Sequence, residues 1–276
     1  MSVEYSVTVI VLNWNGKDLL KDCLESLEKV EYPNYNILVV DNGSSDESVS
    51  YVQTEFPHVD LLILDQNYGY AKGNNRGFEY AKKKGAEYVI FLNNDTIVEP
   101  NFIKPLLEPF KDKSVGQTAP KIYYADNREK IWYAGGKINF WSGNVFHEGI
   151  RDFDSEKYRK NKETDYATGC CFCIRSEDYS RMNGFDETFS MYGEDVDLSL
   201  RINKQSQFIY FIPESKIYHK VSASVGGAFS LGKIKRKMLA NAKLMFKYAH
   251  PLQWVTQIAC LPFLFVGGFI KYFKYK

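Results

Sequence analysis

Residues Tyr88 to Leu92 read Y-V-I-F-L, and Asn93, Asn94 and Asp95 follow directly. A β-branched and aromatic run without polar alternation predicts a strand covered on both faces, as in a parallel sheet layered between helices. The chain is thereby constrained to an open α/β architecture in which side-chain oxygens emerge at the C-terminal end of a buried strand. Ligands of such sheets bind at that end.

The same alternation runs upstream. Val7 to Leu12 predicts a first strand, closed by N-W-N-G at Asn13 to Gly16, after which Leu20, Cys23, Leu24 and Leu27 recur at helical spacing. Ile37 to Val40 is next, followed by D-N-G-S-S-D-E at Asp41 to Glu47; Ser44 and Glu47 fit a capping box before a helix striped by Val49, Val52 and Phe56. Leu61 to Leu64 predicts a third strand, and N-Y-G-Y-A-K-G-N-N-R-G at Asn67 to Gly77 leads into a helix with Phe78 and Ala81 inward. Regular alternation of this kind predicts parallel strands and right-handed crossovers, which place Asp41, the 67–77 segment and Asn93 to Asp95 on one sheet edge.

From Pro100 to Lys162 the pattern is irregular, reading as short strands and loops beside a cleft. Thr168 to Arg175 predicts a small-residue strand, Met182 to Phe189 a turn, and Met191 to Arg201 the entry to a helix with Leu198 and Ile202 on its apolar side.

Charge divides the chain. Formal net charge is +1, yet eleven Lys and Arg and no acid follow Glu214, which leaves residues 1–214 at −10. A basic, aromatic tail on an acidic body predicts contact with a membrane surface rather than nucleic acid. Trp254 to Ile270 is uncharged but interrupted by Thr256, Gln257, Pro262, Gly267 and Gly268, short of the ~20 apolar residues of a spanning helix. An interfacial or re-entrant tail, a spanning one, and a soluble core or homodimer contact all stay open. Cys170, Cys171 and Cys173 form no spaced bridge framework and no paired zinc motif, so they predict small buried thiols in a reducing compartment. Met1 leads into an apolar strand without a leader pattern, and the body is expected in the cytoplasm, peripheral on the inner face of the membrane.

Where a dinucleotide fold needs G-x-G-x-x-G the chain reads N-W-N-G-K-D, and no G-x-x-x-x-G-K-[ST] follows any strand. A nicotinamide enzyme and a P-loop nucleotidase are both disfavoured. Seven segments, V-I-V-L-N-W-N-G, V-V-D-N-G-S-S-D, N-Y-G-Y-A-K-G-N-N-R-G, F-L-N-N-D-T, G-F-D-E-T-F, Y-G-E-D-V-D-L-S-L-R and Y-H-K-V-S-A-S, together resemble the family 2 glycosyltransferases of the GT-A fold, in their rhamnosyltransferase-like branch. The resemblance implies an α/β fold with a mostly parallel central sheet flanked by helices, a transferase domain over 1–227, and a basic helical tail over 228–276. It implies inverting transfer from a dTDP- or UDP-linked sugar to a saccharide or polyprenyl-linked glycan in surface polysaccharide synthesis.

The resemblance also implies roles. Asp41 accepts a hydrogen bond from a pyrimidine, with Asn13 and Asn42 nearby; turn capping by Ser44 and Ser45 is the alternative. Gly69, Tyr70, Lys72, Asn74 and Asn75 form the nucleoside wall, with Lys72 either on phosphate or solvated. Asn93, Asn94 and Asp95 stand where the family has D-x-D, so Asp95 and His219 hold a divalent cation, Mn²⁺ or Mg²⁺, with Asn93 on the ribose. His219 as packing is the alternative. Asp195, placed just before a helix where its ionised form is favoured, is the base, and Glu194 meets the acceptor's hydroxyls; the reverse assignment and a simple N-cap stay open. A sugar nucleotidyltransferase and a noncatalytic, membrane-tethered donor-binding protein are the rival functions.

Overall fold

The computed structural model describes residues 4–189, 191–221 and 231–259. The first half alternates as expected: β1 (Val7–Asn13), α1 (Lys17–Leu27), β2 (Tyr35–Asp41), α2 (Ser48–Glu55), β3 (Asp60–Ile63), α3 (Gly69–Lys83) and β4 (Tyr88–Asn93). β1 lies in parallel between β2 and β4, with Asn13 opposite Asp41 and Leu12 opposite Asn93, so the polar strand ends share one edge. Val9 and Ile10 of β1 and Val89, Ile90 and Phe91 of β4 are wholly buried, which is why neither strand shows a polar face.

The second half departs from parallel pairing. It comprises β5 (Thr96–Val98), α4 (Ile103–Leu107), β6 (Val115–Tyr124), β7 (Ile131–Tyr133), β8 (Gly136–Asn139), β9 (Asn144–His147), β10 (Lys162–Glu163), β11 (Cys171–Arg175), α5 (Ser176–Arg181), α6 (Glu194–Asn203), β12 (Phe208–His219) and α7 (Leu231–Tyr248). The sheet runs β10-β12-β6-β11-β4-β1-β2-β3, with β5 on β12 and β7 on β6, while β8 and β9 form a separate hairpin. β11 is antiparallel to both β4 and β6, and β12 returns parallel to β6.

Three local expectations are corrected. Residues 100–162 are not only short strands and loops: β6 is ten residues long and almost fully buried. Gly116, Pro120 and Lys121 conceal it in the sequence, and Lys121 is tolerated inside because Asp154 meets its Nζ at 3.0 Å. The capping box does not form: α2 has no side-chain cap, Ser44 Oγ instead accepts from the Asn15 N–H, and Asp46 accepts from the Ser48 N–H. α6 begins at Glu194, capped by Gly193, so Asp195 sits inside its first turn rather than before it. The expected boundary at 227/228 and the Ser222 to Ser224 end of the last family segment lie outside the described residues, as does the tail beyond 259.

α3 sits unusually close to the sheet. A Cβ on Gly77 would lie 2.7 Å from Val40 Cγ2 and 2.9 Å from Ile10 Cγ2, both on buried, immobile side chains. Gly77→Ala is therefore expected to destabilise the fold by about 1–3 kcal/mol through overpacking, against the usual gain of alanine in a helix, as measured by urea denaturation.

Candidate active site

Above the C-terminal ends of β1, β2 and β4 the amide side chains form a fixed floor. Asn13 Nδ2 donates to Asp41 Oδ2 at 3.2 Å, and Asn13 Oδ1 accepts from Asn94 Nδ2 at 2.7 Å. Asp41 Oδ1 accepts from the Ser44 N–H at 2.9 Å. These contacts use two of the roughly four lone-pair sites of a carboxylate, so Asp41 keeps acceptor capacity. Asn42 accepts from the Tyr68 N–H and donates to Asn67 Oδ1 and the Gly69 carbonyl, holding the start of α3 against β2.

A cavity of about 1060 Å³ opens on this floor. Of the residues singled out in the sequence, Asn42, Gly69, Tyr70, Asn93, Asn94, Asp95, Glu194, Asp195 and His219 line it. Asn13 and Asp41 are buried beside it. Lys72, Asn74 and Asn75 are directed elsewhere: Lys72 Nζ lies 4.3 Å from the centre of the Tyr68 ring, Asn74 donates to the Tyr70 carbonyl, and Asn75 ties α3 to the 182–189 turn. That tie is complete, since Asn75 accepts from Tyr179 Oη and the Phe185 N–H and donates to the Phe185 carbonyl and Glu187. Cys170, Cys171 and Cys173 are buried free thiols, raised by burial, and Cys170 touches the cavity.

Glu194 and Asp195 enter the cavity from the first turn of α6, which Gly193 opens in a left-handed conformation at φ +90°. Asp195 Oδ2 accepts from the Gly169 N–H at 2.7 Å, and Oδ1 from the Val196 N–H at 2.8 Å. Tyr70 Oη donates to the carbonyl of the same Gly169, so one residue joins α3 to Asp195. Burial raises Asp195, which outweighs the helix-terminus effect expected from sequence. Burial, then the neighbouring Asp195, raises Glu194 to about 8, and its Oε2 is buried without a hydrogen-bond partner.

In the same cavity His219 Nε2 stands 3.2 Å from Asp95 Oδ1, and both Asp95 Oδ1 and His219 Nδ1 are buried without protein hydrogen-bond partners. A carboxylate oxygen without a hydrogen bond and an imidazole Nε2 at this separation fit a divalent cation that accepts mixed oxygen and nitrogen ligands, such as Mn²⁺. No group of three or more His, Cys, Asp or Glu able to hold a metal occurs among the described residues, so further ligands would come from a bound anion or water. The Trp132 ring stands edge-on between His219 and His147, 4.5 Å from each, and burial pushes His147 down to about 3, leaving it neutral. Trp132 and His147 carried no sequence signal, because they come from the irregular 100–162 stretch. Trp14 and Asn15, also in the wall, stood within the N-W-N-G stop.

A family model for glycosyl transferase family 2 matches residues 8–182, most of the chain. The chain belongs to that family. A second model, for the N-terminal domain of galactosyltransferase, matches residues 151–231. Among curated relatives of this glycosyltransferase, the O-antigen biosynthesis protein RfbC of Myxococcus xanthus is 28% identical over 79% of the chain, which spans only 17% of RfbC. The N-acetylglucosaminyl-diphospho-decaprenol L-rhamnosyltransferase of Mycobacterium tuberculosis is 26% identical over 79% of the chain and 77% of that protein. The crystal structure of GalNAc-T7 with UDP, GalNAc and Mn²⁺ superposes with a TM-score of 0.69 at 20% identity, covering 87% of the chain and 48% of GalNAc-T7. The GT-A fold and the rhamnosyltransferase-like branch implied by the seven segments are thus borne out.

The Glu194 proton has a testable consequence for this glycosyltransferase. Its folded pKa near 8 exceeds the unfolded value of 4.5, so folding holds an extra proton between those values and stability falls as pH rises from about 4.5 to 8. Glu194→Gln removes that dependence. Denaturant titrations should find the variant near parity with the parent at pH 4.5 and more stable by on the order of 2–4 kcal/mol at pH 8.5.

Proposed function

We propose that this glycosyltransferase is an inverting enzyme that moves a sugar from a pyrimidine nucleotide donor, dTDP-L-rhamnose or a UDP-hexose, to a hydroxyl of a saccharide or lipid-linked glycan in surface polysaccharide synthesis. The observation that carries the reading is one cavity with two chemically distinct walls: a buried carboxylate pair at Glu194 and Asp195, and the Asp95–His219 pair with its unpartnered atoms.

On the donor side, Asp41 accepts the N3–H of uracil or thymine with its remaining lone pairs, and Asn42 and Gly69 shape the adjoining wall. The ring nitrogen of cytosine offers only an acceptor there and is repelled. Asn93 and Asn94 hydrogen-bond the ribose and phosphate side. Asp95 and His219 would hold the cation, which when bound supplies positive charge against the leaving nucleoside diphosphate. Asn93 brings no charge, so the residues themselves contribute one carboxylate and an imidazole.

On the acceptor side, Asp195 is the base. The Gly169 and Val196 N–H groups fix its carboxylate and favour its charged form against the cost of burial. The acceptor oxygen attacks the anomeric carbon, the bond from that carbon to the diphosphate oxygen breaks with inversion, and the hydroxyl proton passes to Asp195. Glu194, protonated below about 8, donates to another acceptor hydroxyl through its unpartnered oxygen. The acceptor identity follows the branch: the Mycobacterium tuberculosis relative is named for a diphospho-decaprenol acceptor and L-rhamnose transfer.

UDP or dTDP with Mn²⁺ should raise the melting temperature, with the shift shrinking in EDTA and in Asp95→Ala, while GDP and ADP leave it unmoved. A response confined to purine nucleotides would overturn the donor assignment. Asp195→Asn should keep the UDP-dependent shift but lower kcat at least ~100-fold; unchanged turnover would remove Asp195 from the chemistry.

A further inference from the structure

The last described helical turns, at 251–259, are built inside out. Thr256 Oγ1 donates to the Trp141 carbonyl and Gln257 Nε2 to the Phe140 carbonyl, so the polar side chains are turned into the protein against the β8–β9 loop. Leu252, Val255 and Ile258, which recur at i, i+3 and i+6, are instead 64%, 67% and 67% exposed. A helix on a water-facing surface shows the opposite arrangement.

α7 continues the face. Its inner side, Leu244 and Met245, packs on Phe189 and Val196, while Leu239 and Phe246, seven residues apart, are 61% and 74% exposed. Lys235 lies on the same stripe as Leu239 and is exposed. The two helical segments touch where Phe246 packs on the half-buried Trp254, ring centres 5.2 Å apart, and Trp141 adds an exposed indole beside Thr256.

We infer that this face, Leu239, Phe246, Leu252, Val255 and Ile258 with Trp141 at its rim, docks on an anionic lipid bilayer with α7 lying in the interface. Charge selects the occupant: no acidic residue follows Glu214, Lys235 stands exposed on the stripe itself, and the sequence from Leu261 runs apolar and aromatic up to Lys271, Lys274 and Lys276. No helix among the described residues is long and apolar enough to cross a membrane. Lys237, Ala240, Asn241 and Leu244 of α7 also line the active-site cavity, which brings the cavity mouth to the lipid surface. For the lipid-linked acceptor this deepens the function proposed above and rests on it; the docking itself does not.

The test is flotation of the full-length protein on phosphatidylcholine vesicles with and without phosphatidylglycerol. The parent should float on the anionic vesicles, and Leu252→Ser/Val255→Ser/Ile258→Ser should lower the bound fraction roughly tenfold while residues 260–276 stay intact. Brominated phosphatidylglycerol should quench the parent's tryptophan emission, and Trp141→Phe should remove part of that quenching, a readout independent of how the triple variant folds. Undiminished flotation of a folded triple variant without quenching in the parent overturns the inference, as does a lipid-free dimer that the triple variant dissociates. UDP-dependent stabilisation is measured alongside: its loss in parent and variant alike would sink the donor reading and leave the docking standing.

Discussion

β4 is the element on which the rest depends, because it is hydrogen-bonded on both edges by strands of opposite sense. β1 pairs with it in parallel and β11 antiparallel, so the parallel half and the mixed half meet along one buried strand. Phe91 is wholly buried at that seam, with the Phe172, Tyr179 and Phe185 rings within 5.3 Å of its own, which locks α5 and the 182–189 turn onto the strand. At its end the Asn93 N–H donates to the Cys170 carbonyl. The segment bearing Asp95 is thereby tied to the segment that holds Asp195. Gly169, next along, carries the rest of the connection: its carbonyl receives Tyr70 Oη from α3 and its N–H meets Asp195 from α6.

That geometry sets the electrostatics. Two carboxyls in adjacent positions at the start of α6 are desolvated together, and Asp195 receives backbone N–H donors from Gly169 and Val196. Glu194 is left with a buried lone pair, so its cheapest state near neutrality is the protonated one. Environment therefore divides two similar acids into an oriented acceptor and a proton-bearing donor. Asp95 Oδ1 and His219 Nδ1, in the same cavity, are also without protein hydrogen-bond partners, which leaves them free to meet water, a cation or another ligand.

What was legible in the sequence is the half in which each layer has one periodicity. β1, β2, β4 and α1 advertise themselves because a strand buried on both faces has no polar residues to confuse it and an amphipathic helix has a single stripe. The mixed half is harder for specific reasons. β6 contains a proline and a lysine, admissible only because Asp154, thirty-three positions away, meets the lysine. Asn74, Asn75 and Lys72 share a polar segment with Gly69 and Tyr70, but the helical turn sends them to different neighbours, and neither composition nor spacing separates the cavity wall from the helix behind it. Ser44 and Glu47 matched a local motif, yet the Asn15 backbone competed for Ser44 through a contact invisible to local reading. Trp132 and His147 reach the cavity only through the pairing of β7 and the β8–β9 hairpin, which no short-range pattern encodes.

The basic tail, which composition sets apart, is packed against α6, the helix that carries Glu194 and Asp195. Asp197 of α6 is fully buried, and its carboxylate is compensated by Arg201 on its own helix and by Lys247 and Tyr248 of α7. Lifting α7 from the body would leave that buried charge with one cation, a costly state. Leu244 and Met245 add apolar contacts to Val196, the residue after Asp195. The helix presenting an apolar stripe to the outside and the helix presenting the carboxylate pair to the cavity are therefore one packed unit, so any surface that orients α7 also orients Glu194 and Asp195.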